Sequence, residues 1–436
     1  MPMVENADNA HSHDHTIPNK RIVMLTYGSQ GDVEPFIALG KQLIHEGFSV
    51  RLVAPKPFKS MGDKAGIEFI SIESNPDELG QMFANQAGKN WFKMIKSMAE
   101  HVMPIARNAF QIIVDSVNDA DLIMHSFLMT DAGHTLARKL DIPEISAQLF
   151  PVFMSTGEFP PVALPDLPLG KIYRKSMHNL NTFMFRNSAH FMYKRLQKSS
   201  PELPNLADWP FKGPVEKQPP ILFAYSNHVV PKPDDWPTNA HVTGYWQMPI
   251  PENWSPPKML IEFIEDGDPP IFFSPGSMQS DKSNSLLGMV IKTARNVKKR
   301  IVLGVSPEII LDELKGKHLI TAPGIPHAWL FPQMSYVLHH GGAGTTGSAV
   351  TAGVPNTAIP FSLDQTFWAK RLVQLGVGPA APASRKIGVN ELERIIRDAT
   401  ENAGYTTRAK AIAEKISMED GINSTVNIIK RLLGAP

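Results

Sequence analysis

Short apolar runs alternate with helix-patterned segments in two separate series along this chain, which restricts it to α/β architectures built on parallel sheets. The first series opens on residues 21–27 and passes a glycine loop, Gly28-Ser-Gln-Gly-Asp-Val-Glu-Pro35. The segment that follows, 36–47, sets Phe36, Leu39, Leu43 and Ile44 on one helical face. Pro35 and Gly47 are residues favoured at the two ends of a helix, so the helix is expected to start just after the proline. Apolar runs at 49–54, 67–72, 121–124, 144–149 and 221–225 continue the series, with a helical stretch at 132–140.

Between residues 150 and 217 the alternation fails. Pro160, Pro161, Pro165 and Pro168 cluster there, and aromatic and Met residues fill 183–193. This stretch reads as an insertion that shapes a pocket; its aromatic part, with Arg186, Lys194 and Arg195, reads as lining a pocket mouth or touching a membrane surface, or more plainly as a surface helix. Residues 248–269 are proline-rich at both ends and read as a linker. A second strand–helix series follows, with strands at 271–273, 301–305, 335–338 and 357–359. The expected organisation is a disordered tail (1–19), a Rossmann-like half (20–247), the linker (248–269) and a second Rossmann-like half (270–436). In such sheets ligands bind beyond the carboxyl ends of the strands, so two facing halves enclose one cleft.

Composition removes several classes of function. A formal charge of +1 leaves no electrostatic footprint for nucleic acid. With no cysteine, disulfides, thiolate metal sites and thiol nucleophiles are excluded, and a reducing, cytoplasmic setting is expected. The first twenty residues lack the apolar run of a signal peptide, and His11, His13 and His15 read as part of a polar tail. No stretch approaches the roughly 18 apolar residues of a membrane span, which leaves at most peripheral membrane contact.

The densest motif is Val337-Leu-His-His-Gly-Gly-Ala-Gly-Thr-Thr-Gly347, an apolar strand running into a glycine-rich turn that opens a helix from about Gly344 or Thr345. Glycines such as Gly342 and Gly344 let the backbone approach a phosphate, and the helix start offers unpaired N–H groups. His340, Thr345 and Thr346 add side-chain donors. Asp364 and Gln365 end the next strand, where they suit sugar hydroxyls or, more plainly, cap a helix.

His-Gly-Gly-Ala-Gly-Thr-Thr followed about twenty residues later by Asp-Gln resembles the nucleotide-sugar signature of glycosyltransferases with two Rossmann-like domains, the GT-B fold. The likeness runs from Arg21 to about Leu433. It is strongest to the sterol and antibiotic branch, through Gly28–Pro35 and through Val229-Val-Pro-Lys-Pro-Asp-Asp-Trp-Pro237 with His241-Val-Thr-Gly-Tyr-Trp246. The resemblance implies that His340, Gly344, Thr345 and Ser277 hold a diphosphate and that Asp364 and Gln365 hold the sugar. It also puts Asp32 in the position of the catalytic base, with His125 where relatives place the residue that orients it. Taken alone, Asp32 reads as a helix cap and His125 as a buried structural histidine.

The implied activity is inverting, metal-independent transfer of a hexose, glucose from UDP-glucose, to a hydroxyl of an apolar acceptor such as a sterol or triterpenoid. Transfer to a polyketide, peptide antibiotic or glycolipid, from a dTDP-sugar, is the alternative, and a non-catalytic nucleotide-sugar-binding protein is a third. No metal or other cofactor is expected. Asp266-Gly-Asp268 has the D-x-D spacing of metal-dependent transferases but sits in the linker and reads as loop polarity.

Overall fold

The structure is a computed structural model that describes residues 20–76, 103–162, 164, 167–201, 203–276, 281–310, 316–361 and 364–435. The tail at 1–19 and Ser277 lie outside them, as do the first twelve residues of the Met-rich stretch at 91–117.

Two parallel sheets carry the molecule. The first contains β1 (Arg21–Leu25), β2 (Ser49–Pro55), β3 (Glu68–Ile72), β4 (Leu122–His125), β5 (Glu144–Gln148), β6 (Ile221–Phe223) and β7 (Ala240–Val242). Its order is β3-β2-β1-β4-β5-β6-β7. The second contains β8 (Ile271–Ser274), β9 (Ile301–Leu303), β10 (Leu319–Thr321), β11 (Tyr336–His339) and β12 (Asn356–Ala358), in the order β10-β9-β8-β11-β12. The central strands are buried on both faces, as apolar parallel strands must be, while the edge strands β3, β7 and β10 are only partly covered. In each sheet the strand order reverses beside the first strand: between β1 and β4, and between β8 and β11. Loops diverge at those two points, and both candidate loops of the sequence, Gly28–Pro35 and His340–Thr346, leave from them.

One sequence expectation is corrected. The first helix runs Gln30–His45 and contains Pro35. The cap at Ser29 sets its start, because the Asp32 carboxylate accepts the Ser29 N–H at 2.8 Å. Pro35 then forfeits only the bond its N–H would have made to the Gly31 carbonyl, one turn back. The short strands β7 and β10 carry too little periodicity to show in the sequence. Residues 150–217, expected as an insertion, contain one long helix, Gly170–Ser199.

The two halves share a core. Tyr225, Val229 and Trp236 of the first pack with Val350, Phe367, Trp368 and Leu372 of the second. Polar contacts cross as well: Gln247 Nε2 donates to Thr351 Oγ1 at 3.0 Å, and Arg371 donates to the Val229 carbonyl. The last helix, Gly421–Leu433, follows the second sheet in sequence but packs on the first, placing Val426 and Ile429 in the core with Phe36 and Leu43. Lys430 there pairs with Glu46 at 2.9 Å. Among the described residues no helix is long and apolar enough to cross a membrane.

Candidate active site

The loop after β1 is built around Asp32. Its Oδ2 accepts both the Ser29 N–H (2.8 Å) and the Ser29 hydroxyl (3.0 Å), which fixes the carboxylate at the mouth of the loop. Gly28 makes room for it. A β-carbon at Gly28 would stand 2.3 Å from Asp32 Oδ2, and the residue adopts φ +152°, where L side chains are rarely found. Asp32 therefore does cap its helix, and it does so while half exposed at the switch point of the first sheet.

Facing it is the turn after β11. The His340 ring lies between two glycine backbones: β-carbons at Gly276 and Gly342 would come within 2.7 Å and 2.5 Å of it. Burial, then the charge of His327, lowers the His340 pKa to about 4, so the imidazole is neutral at neutral pH. Its Nδ1 is buried without a hydrogen-bond partner among the described residues. The helix Ala343–Thr351 starts directly behind it, with Gly342 as its cap residue. Thr345 is half-buried, and Thr346 is fully buried with its hydroxyl unpartnered among the described residues. Gly344 marks where the halves meet, since a β-carbon there would sit 3.6 Å from the Gly31 Cα. The helix start and the Asp32 loop thus oppose each other directly.

Asp364 opens the helix Asp364–Leu375 in the same place. Burial, and then the like charge of Asp32, raise its carboxyl to about 7; the local backbone amides and the Trp368 indole act the other way. That electrostatic coupling ties a carboxylate of one half to a carboxylate of the other. Gln365 is buried, and its Oε1 accepts the Phe361 N–H at 2.8 Å, so this oxygen braces the loop that carries Asp364.

His125 ends β4 in full burial. Its Nε2 donates to Glu144 Oε2 at 3.0 Å, and His134 Nδ1 donates to Glu144 Oε1 at 2.5 Å. Burial alone would raise the Glu144 carboxyl, but the two imidazoles outweigh it and bring it down to about 2. Asp131 lies in the same electrostatic environment, and burial raises its carboxyl. Gly133 packs directly on the His125 ring, where a β-carbon would approach within 2.6 Å. His125 is therefore anchored to Glu144, beneath the strand end. The D-x-D pair is also accounted for: Asp266 ends the helix Lys258–Glu265, and the Asp268 carbonyl accepts from Arg300.

Known proteins resemble this chain in sequence and fold. Residues 22–154 match the glycosyltransferase family 28 N-terminal domain, and residues 311–431 match the erythromycin biosynthesis protein CIII-like C-terminal domain. Together these stretches cover more than half the chain. The calicheamicin glycosyltransferase CalG4 has the same fold over 96% of this chain and 100% of its own, with a TM-score of 0.67 at 15% identity. The chain belongs to the GT-B glycosyltransferases. It is 30% identical over 432 residues to the sterol 3-beta-glucosyltransferase of Pichia angusta, covering 94% of this chain and 33% of that one. It is 29% identical over 429 residues to the O-mycaminosyltylonolide 6-deoxyallosyltransferase of Streptomyces fradiae, covering 94% and 97%. The chain thus spans about a third of the length of the Pichia enzyme.

Two supports of this candidate site escaped the sequence reading. The glycine clamp on His340 was half visible, because Ser274-Pro-Gly276 follows an apolar strand and signals a sharp turn. The Glu144 bridge gave a fainter signal, a lone carboxylate in the strand Glu144-Ile-Ser-Ala-Gln148 whose sequence otherwise reads as buried.

Proposed function

We propose that this glycosyltransferase moves glucose from UDP-glucose to a hydroxyl of an apolar acceptor of the sterol or triterpenoid class, with inversion and without a metal ion. The observation that carries the reading is the meeting of Asp32, Asp364 and the Ala343–Thr351 helix start at the facing switch points of the two sheets. Asp32 takes the proton of the acceptor hydroxyl as that oxygen attacks the anomeric carbon from the first half. The bond from the anomeric carbon to the phosphate oxygen breaks, and UDP leaves with the electron pair toward the helix start. There the N–H groups of the first turn, the Thr345 hydroxyl and a neutral His340 donate to the diphosphate, the role a cation fills in metal-dependent transferases. Asp364 accepts from the hexose hydroxyls. The sterol class follows the Pichia relative, and the length of the match to the Streptomyces enzyme keeps a macrolide-type acceptor as the second reading.

The test is transfer from UDP-glucose in the presence of chelator, with sterols, triterpenoids and macrolide aglycones as acceptors and products weighed by mass spectrometry. A glucosylated sterol is expected; no product from any of these acceptors would reject the reading. Asp364→Asn should weaken use of UDP-glucose far more than binding of UDP. A folding defect would not explain that loss. A carboxyl raised to about 7 costs stability as pH climbs from the ordinary carboxylate range through 7, so the variant should be at least as stable as the wild type at pH 8. Equal loss of UDP and UDP-glucose would give Asp364 a structural role instead.

A further inference from the structure

The helix Gly170–Ser199 holds seven Lys and Arg residues and neither Asp nor Glu. Its inner side is well packed. The Phe185 ring lies 4.5 Å from Phe127 and 5.2 Å from Phe153, and Tyr193 stacks edge-on against Phe110 at 5.1 Å. Its outer side is not. Ile172 is 83% exposed, Phe183 64%, Met184 51% and Phe191 58%, with Leu180 also exposed. At 3.6 residues per turn these five positions fall within an arc of about 120°. Lys194 and Lys198 share that arc, and Arg195 borders it with its guanidinium over the Phe191 ring at 5.5 Å. Leu169, just before the helix, is exposed as well.

A concentration of large apolar side chains left in water is costly and marks a surface that is covered in use. From this face we infer a docking surface for an anionic lipid bilayer. Apolar side chains along the middle of a helix, with lysine and arginine among them and no carboxylate to repel phosphate, are the features of a helix that lies in a membrane interface. Lys171 and Lys175 are already paired, with Glu158 at 2.6 Å and Asp235 at 3.0 Å. Lys194, Arg195 and Lys198 have no carboxylate partner among the described residues, so they remain for lipid phosphate. A second copy is a poor occupant, because a two-fold pairing of this face would set cations against cations. The inner side of the same helix roofs Phe127, Phe150 and Phe153, which follow the carboxyl ends of β4 and β5. Docking therefore brings the acceptor half against the phase in which apolar alcohols dissolve. The surface itself does not depend on which acceptor is used.

Co-sedimentation of the full chain with vesicles of phosphatidylcholine, with and without phosphatidylserine, tests this. Binding is expected to the phosphatidylserine vesicles and to weaken as salt is raised. Lys194→Glu with Lys198→Glu should reduce it roughly tenfold or more, from about 1 kcal/mol per basic residue near the surface. Phe183→Ser with Phe191→Ser should reduce it even where the charges are intact. All four side chains are exposed, so thermal unfolding and turnover of a water-soluble acceptor should match wild type and serve as the folding control. Wild-type protein that stays in the supernatant with phosphatidylserine vesicles overturns the inference. So does binding unchanged in both double variants, or a concentration-dependent dimer that the same variants abolish.

Discussion

Asp32→Asn should retain UDP, UDP-glucose and acceptor binding while lowering turnover about 100-fold or more. General bases contribute roughly 100- to 10,000-fold, and asparagine keeps the size of the side chain while losing the proton acceptor. The helix start is not the casualty, because an Asn amide oxygen can still accept the Ser29 N–H that Asp32 accepts at 2.8 Å. The substitution also removes the like charge that helps raise Asp364, so the Asp364 carboxyl should titrate lower than in the wild type. Steady-state kinetics with calorimetric binding separate these effects. A near-wild-type kcat would leave Asp32 as a helix cap and nothing more.

The second large effect concerns stability. Glu144 accepts from two buried imidazoles, and its carboxyl is held at about 2 against an ordinary value of 4.5. A depressed carboxylate contributes stability that is complete above the ordinary value and is lost as pH falls from 4.5 toward 2. The size is on the order of 3 kcal/mol, at roughly 1.4 kcal/mol per unit. Glu144→Gln offers one oxygen where two acceptors are needed and turns an amide N–H₂ toward the other imidazole. It should therefore lose about 2–4 kcal/mol at pH 7 and show a flatter decline on acidification. Denaturant unfolding at pH 7 and below pH 4 checks both slopes. A variant as stable as the wild type at pH 7 would mean the bridge adds nothing net.

How much of this site could be read from sequence depended on how far apart the interacting residues lie. The glycine turn after β11 was legible because the apolar strand, the glycines and the threonines are consecutive, so local physics determines the loop. The start of the first helix was misread at Pro35 although the competing signal lay nearby: Ser29 and Asp32 have the spacing of a reciprocal cap, and the cap outweighed a proline still within the second turn. The Glu144 bridge joins residues 10 and 19 positions apart on a helix and a neighbouring strand, a pairing fixed by the register that sets Ile123 beside Glu144. No periodicity encodes that. The long helix was obscured for another reason: large apolar residues stand on its exposed face as well as on its buried one, so the contrast that reveals an amphipathic helix is weak.

The helix Gly421–Leu433 has a practical consequence for recombining such enzymes. Because Val426 and Ile429 complete the core around Phe36 and Leu43, a graft of the second half cut only at the linker would bring a foreign plug into the first half. A working chimaera needs two seams, one in the linker and one before Gly421, so that the final helix stays with the surface it evolved against.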